Sequence, residues 1–231
     1  NLMPSGLKRI HLDETESTND ICLNEIKNSD KPILVTADMQ TKGRGRNEKK
    51  WISPKGNLYF SFGFTRHNLI NGLSVKVGLI VAESLQQILK KNVLLKWPND
   101  LFYLDKKVGG ILVETSSINN IFKIVIGIGV NLQLSDSNKQ WGNLEINTDI
   151  DKVKEQIIEM LSSKLFVFLE DDLDEDWSKR WTNLCIHNEK EIMLESNNEE
   201  LFFMGINHDG QLIGKKKDDK ILFVNESSIS F

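Results

Sequence analysis

Apolar residues recur along this chain at two different periods, and the switches between them outline its architecture. Leu73, Val77, Ile80, Val81, Leu85, Ile88 and Leu89 are spaced by three or four, which predicts an amphipathic helix over 73–89 lying beneath a sheet. The same spacing returns at Val153, Ile157, Ile158, Leu161, Leu165, Phe168 and Leu169, and again at Trp177, Trp181 and Leu184. Between 58 and 64 the period falls to two, with Leu58, Phe60, Phe62 and Phe64 on one face, the pattern of a half-buried strand. Runs at 32–37, 93–97, 110–115 and 122–130 predict further strands. Ser17 or Thr18 can cap a short helix reaching about Lys27, with Asp20 in its first turn and Ile21, Cys22 and Ile26 on its apolar face. Beyond His187 the runs shorten to 191–194, 201–206, 211–214 and 221–224, separated by turn signals at Asn197-Asn198 and Asp209-Gly210. The expected fold is α+β: a mixed sheet with packed helices over 1–185 and a small antiparallel barrel over 186–231.

Composition narrows the function classes. At 231 residues, with 39% hydrophobic and 27% charged, the chain can bury a core without staples. The apolar run at 124–130 is far too short to span a bilayer, and the N-terminus lacks a signal-peptide pattern, so a cytoplasmic protein with no membrane partner is expected. A net charge of −4 argues against a protein devoted to DNA or RNA. Cys22 and Cys185 form no Cys-x-x-Cys pair and are expected as buried small hydrophobes. His11, His67, His187 and His208 lack metal-helix spacing and are assigned structural roles.

The positive charge is concentrated. Residues 41–51, Thr-Lys-Gly-Arg-Gly-Arg-Asn-Glu-Lys-Lys-Trp, combine two glycines, five cations and an indole. Glycine lets backbone N–H groups approach an anion, arginine offers a charged fork, and Trp51 offers a flat apolar face. By itself such a loop is equally consistent with a solvated segment or an RNA-binding tract. Other unusual segments accompany it: Glu16-Ser17-Thr18-Asn19, Gln40, Lys96-Trp97-Pro98-Asn99-Asp100, Lys107-Val108-Gly109-Gly110-Ile111-Leu112-Val113-Glu114 and Gly127-Ile128-Gly129-Val130-Asn131. Together, in this order, they resemble the biotin protein ligases.

The resemblance implies a class II synthetase-like catalytic domain followed by an SH3-like barrel. It also implies an activity: biotin and ATP, with Mg²⁺ of unassigned ligands, give biotinyl-adenylate, and biotin passes to a lysine of a biotin carboxyl carrier domain. The positions matching Ser17, Thr18, Asn19 and Gln40 line the biotin head in that family, glycines such as Gly109, Gly110 and Gly127 keep the pocket walls thin, and Gly43 and Gly45 are also assigned to biotin binding. Lys107 would sit between the biotin carboxylate and the α-phosphate, with Arg44 and Arg46 over the same junction. Trp51 would be the adenine platform, Asn131 would meet the adenine edge, Asn99 would lie near the nucleotide, and Asp100 would orient or deprotonate the acceptor amine. Each has a plain alternative: Lys107 as a solvated lysine beside Asp105, Ser17 and Thr18 as helix caps, Trp51 as a structural pin, Asp100 as an Asx cap.

Two departures stand out. Asn47-Glu48 occupies the place where many members have Arg-Gly, and the Glu-Ser-Thr-Asn segment begins sixteen residues in, without a preceding helix-turn-helix, so a monofunctional form is expected and repression is not. A homodimer is left open. Repulsion among the cations predicts that 41–50 is mobile until an anion arrives, and the Lys215-Lys216-Lys217 turn could face phosphate. Two rivals remain: a lipoate or octanoate ligase or transferase of related fold, and a non-enzymatic nucleotide- or RNA-binding module.

Overall fold

The computed structural model describes residues 4–29, 31–134, 141–225 and 229–230. The first strands and helices are β1 (Lys8–Thr15), α1 (Thr18–Glu25), β2 (Ile33–Gln40), β3 (Leu58–Arg66), α2 (Leu73–Leu89), β4 (Leu94–Lys96), β5 (Asp100–Tyr103), β6 (Lys106–Ile118) and β7 (Ile121–Val130). Their strands form a seven-stranded sheet in the order β1-β2-β3-β7-β6-β5-β4. Only β1 and β2 run parallel; the other pairings are antiparallel, so the sheet is mixed. Helices α3 (Ile150–Glu170) and α4 (Trp177–Asn183) follow, then β8 (Glu191–Leu194), β9 (Glu199–Ile206), β10 (Leu212–Lys215), β11 (Ile221–Val224) and β12 (Ile229–Ser230). These last five make a second antiparallel sheet, ordered β11-β10-β9-β8-β12, consistent with the SH3-like domain expected.

The long helices follow the apolar spacing, and α2 coincides with its predicted span. The alternation in β3 is more deeply covered than its period implied: Leu58 through Phe64 are all buried. Helix α1 lies on the second face, so close that a Cβ on Gly63 would stand 2.5 Å from Cys22 Sγ. Short or charged strands escaped the pattern. Edge strand β1 carries Lys8, Arg9, His11, Asp13 and Glu14, charges that discourage pairing with another chain, while β5 and β12 are only four and two residues long. Cys22 and Cys185 are buried free thiols, and burial pushes both up to about 12.

The two sheets share one contiguous core. Leu95 of β4 donates to the Leu184 carbonyl and accepts from Ile186 N–H, both at 2.9 Å. Trp97, fully buried, donates its indole N–H to the Gly210 carbonyl at 3.0 Å. The Asp209-Gly210 turn thus lies directly on Gly72, the residue before α2. In the Lys215–Lys217 turn, Lys216 pairs with Glu199 at 2.5 Å, Lys215 with Asp219 at 3.1 Å, and Lys217 with Glu200.

Two stability predictions follow from this packing. Gly210 has φ +74°, and a Cβ there would stand 2.7 Å from Gly72 Cα; Gly210→Ala should therefore lower unfolding free energy by about 1–3 kcal/mol, read as a lower urea midpoint at unchanged m. Burial, then Lys96 and Lys190, push His187 down to about 4 from 6.5. The unfolded chain then binds a proton that the folded chain refuses between those values, so stability should fall as pH drops from 6.5 to 4. His187→Leu should flatten that part of the urea-midpoint profile.

Candidate active site

A cavity of about 150 Å³ opens where the start of α1, the end of β2, the 41–51 loop and the glycine-rich centres of β6 and β7 converge. Glycine is required on its floor. A side chain at Gly127 would collide with the Asn19 amide, whose Nδ2 lies 2.9 Å from the would-be Cβ, and one at Gly129 would meet Trp51 Nε1 at 2.8 Å. Gly110 is less crowded, with Asp100 and Lys107 at 3.7 Å. Bare backbone at these rungs lets α1 and the loop lie directly on the sheet.

At one end the lining is neutral and polar. Ser17 caps α1, accepting from Asp20 N–H at 3.4 Å, so its capping role and its place on the wall coexist. Thr18 donates to Gln40 Oε1 through its backbone N–H at 2.9 Å and its hydroxyl at 3.0 Å. Gln40 Nε2 donates to Ser53 at 3.1 Å, and the Ser61 hydroxyl bridges Thr18 at 2.7 Å and Asn19 at 2.5 Å. A small planar polar group entering here meets donors and acceptors already held in place.

At the other end the lining is charged. Lys107 is folded into the cavity, its ammonium 2.7 Å from Asp100 Oδ1 and 5.6 and 5.4 Å from the Trp51 and Trp141 rings. It is not a solvated lysine beside Asp105. Asn99 Nδ2 donates to the Ile111 carbonyl at 2.8 Å, holding the Asn99-Asp100 turn against β6. Trp51 and Trp141 meet edge to face, ring centres 5.2 Å apart.

The 41–51 loop closes on itself: Gly45 N–H donates to the Lys49 carbonyl at 2.7 Å and Trp51 N–H to the Gly43 carbonyl at 2.9 Å. Two of its cations meet carboxylates. Lys42 pairs with Glu16 at 2.7 Å, and the Arg44 fork holds Asp20 at 2.6 and 3.1 Å and Glu114 at 2.9, 3.0 and 3.3 Å. The Asp20 hydrogen bond, opposed by burial and joined by Glu114, raises the guanidinium above its ordinary value. Arg44 thus lines the cavity with its guanidinium held by protein carboxylates, and Arg46, Lys49 and Lys50 are the other loop cations on the lining. Asn47 and Glu48 both adopt left-handed φ, 54° and 55°, so the chain makes its turn there without the glycine the family pattern has.

Of the expected site residues, all but Gly43, Gly109 and Asn131 line this cavity. Gly43 is a close-approach glycine behind it, where a Cβ would meet the Trp51 carbonyl at 2.5 Å. Asn131 faces a separate small crevice shared with Trp51 and Trp141. Its Oδ1 and Trp51 Nε1, both buried, have no hydrogen-bond partner among the described residues, leaving one acceptor and one donor beside the indole pair. Sequence reasoning assigned no site role to Trp141, Asp20 or Glu114. A second indole in a polar stretch and a carboxylate ending an apolar strand were the available signals.

No carboxylate contributed to this network stands uncommitted: Asp100 holds Lys107, and Asp20 and Glu114 hold Arg44. Among the described residues, the trio with metal-ligand proximity is His11, Asp13 and Asp38, off the cavity, where Asp38 already accepts from Lys154 at 3.0 Å. A dedicated magnesium cage is thus not a feature of the described lining. An open cleft of about 600 Å³ adjoins the cavity at Arg46 and Asn47 and runs to the start of α2 and to Asp209–Gln211.

Comparison with known proteins agrees with this geometry. The chain is 34% identical over 213 residues to the bifunctional ligase/repressor BirA of Escherichia coli (strain K12), covering 86% of this chain and 66% of that protein. It is 25% identical over 236 residues to biotin--protein ligase 1, chloroplastic, of Arabidopsis thaliana, covering 93% and 64%. The chain therefore spans just under two thirds of these relatives' length. The biotin protein ligase from Aquifex aeolicus in complex with biotin and ATP superposes with a TM-score of 0.78 at 27% identity, covering 96% of this chain and 98% of that one. Residues 12–131, over half of the sequence, match the Biotin/lipoate A/B protein ligase family, and the chain belongs to that family.

Proposed function

We propose that this protein activates biotin with ATP to biotinyl-5′-AMP and transfers biotin to a lysine of a biotin carboxyl carrier domain. The observation that carries the reading is the joining, in one cavity, of a preorganised neutral polar end and a cationic end formed by Lys107 and the Arg46 side of the loop. A ureido ring has one carbonyl and two N–H groups to satisfy, and Ser17, Thr18 and Gln40 offer matching partners. An octanoyl tail or dithiolane ring has nothing to offer them, which disfavours the lipoate alternative. A basic RNA-binding loop would need neither the polar pocket nor the half-buried Lys107–Asp100 pair. Magnesium, expected with the nucleotide, would take phosphate oxygens and water as its main ligands.

In this reading the biotin carboxylate attacks the α-phosphorus, the bond to pyrophosphate breaks, and pyrophosphate leaves. Both reactants are anionic, so Lys107 exchanges its Asp100 partner for the two anions at the junction. Asp100, released from that ion pair, is then positioned to take a proton as the acceptor amine attacks the acyl carbon and AMP departs. Trp51 offers its ring to the adenine, and Asn131 Oδ1 offers an acceptor beside it. Arg46 covers the anhydride and keeps it from water and from stray amines. Among the described residues no helix is long and apolar enough to cross a membrane, which fits a substrate that is itself a protein domain in solution.

Incubation of the protein with biotin, ATP and a carrier domain should add one biotinyl group to the carrier by mass, with no gain when biotin or ATP is omitted; an unmodified carrier would refute the activity. Lys107→Ala should slow biotin-dependent pyrophosphate release by at least about a hundredfold with little change in thermal midpoint, and near-normal release would remove Lys107 from its assigned place. Arg46→Gly should instead let adenylate escape, so that mass spectra show biotin on many lysines rather than on one.

A further inference from the structure

We propose that Glu114, acting through the Asn19 amide and the Ser61 hydroxyl, fixes the hydrogen-bond polarity of the neutral end of the cavity, so that this end accepts a ligand N–H and refuses a ligand oxygen in the same place. The first step is the orientation of two amides. Glu114 accepts from the Arg44 guanidinium with both oxygens, and its Oε2 also accepts from Asn19 Nδ2 at 2.7 Å. A carboxylate so placed only accepts, which turns Asn19 Oδ1 towards Ser61. The Gln40 amide is oriented twice over: the Thr18 backbone N–H donates to its Oε1, and its Nε2 donates to Ser53 Oγ, whose own proton goes to the Trp51 carbonyl at 3.0 Å.

Between these two amide oxygens lie two hydroxyls. The row runs Gln40 Oε1, Thr18 Oγ1, Ser61 Oγ and Asn19 Oδ1, with neighbours 3.0, 2.7 and 2.5 Å apart. Each outer oxygen can only accept and each hydroxyl carries one proton, so two protons face three contacts. The row is one donor short. Ser61 pairs with Gly127 across β3 and β7, is fully buried and does not reach the cavity. Thr18 and Gln40 do line it, and theirs is the longest of the three contacts. A ligand donor therefore enters there. Thr18 then gives its proton to Ser61 and Ser61 gives its own to Asn19, leaving Thr18 Oγ1 and Gln40 Oε1 as paired acceptors for one N–H.

This deepens the ligase reading, on which it rests, by naming what is recognised in the ureido ring: an N–H at this point, rather than any small polar group. A ring oxygen in its place would face two oxygens with no proton among them, and burial leaves such a contact uncompensated. Glu114 and Ser61 are positioning residues, since neither lines the cavity.

Two cyclic carbamate isosteres of biotin, each with one ureido N–H replaced by a ring oxygen, test this by calorimetry. Wild-type protein should bind at least one of them about tenfold or more weakly than biotin. In Ser61→Ala the row shrinks to one hydroxyl and one contact, so Thr18 can turn its proton to the ligand, and the ratio between biotin and that isostere should fall to about threefold or less. Glu114→Gln lets the new amide and that of Asn19 turn over together, bringing Asn19 Nδ2 to Ser61 as a third donor, and should narrow the ratio in the same way. A merely structural role would weaken all ligands alike. An unchanged ratio in Ser61→Ala, which removes neither Arg44 ion pair, overturns the proposal, as does equal binding of biotin and both isosteres by the wild type. Should Ser61→Ala not fold, the ratio in Glu114→Gln decides. Wild-type protein that binds no biotin at all removes the ligase reading itself, and this inference with it.

Discussion

The absence of side chains at Gly127 and Gly129 is the constraint on which the rest of the site depends. These two rungs of β7 face Asn19 and Trp51 at distances no Cβ could share. Because they are bare, the first turn of α1 and the end of the basic loop rest directly on the sheet, and the cavity forms between them. Place a methyl group on either rung and Asn19 or Trp51 must lift. The polar network through Thr18, Ser61 and Gln40 would then lose its anchor, and Glu114 would lose one of its donors.

Three cations of the site are met by carboxylates. Lys107 has Asp100, Arg44 has Asp20 and Glu114, and Lys42 has Glu16. These pairs differ in what their breakage would do. In the proposed reaction, separating Lys107 from Asp100 frees a cation and a base within one cavity, each suited to a different half-reaction, whereas the Arg44 guanidinium ties the loop to α1 and β6.

Much of this was legible without coordinates, for definable reasons. The α2 and α3 stripes and the alternation in β3 are long enough for their period to stand out, and the Gly-Arg and Lys-Trp-Pro-Asn-Asp segments are chemically unusual enough to mark the cavity. What escaped was short, charged or non-local. Strand β1 reads as polar because it is an edge, and β5 is four residues long. Glu114 sat in view at the end of an apolar strand, but its partners Asn19 and Arg44 are 95 and 70 residues away, and no spacing rule reaches so far. Gly43 lies behind the cavity rather than on its lining, and a glycine needed for close packing and one needed for ligand access look identical in sequence.

The small C-terminal sheet belongs to the same physical argument. Trp97 reaches it through the Gly210 carbonyl, and Trp97 is followed at once by Pro98, Asn99 and Asp100, the turn that carries the partner of Lys107. Leu95, two residues earlier, is hydrogen-bonded on both sides to the segment leaving α4. The turn is thus clamped between β6, through the Asn99–Ile111 contact, and the second sheet, through Trp97. Its position cannot shift without disturbing a buried indole and its only described hydrogen bond, a change that would leave a carbonyl unpaired in the core. The second sheet therefore helps to hold the backbone from which Asp100 projects.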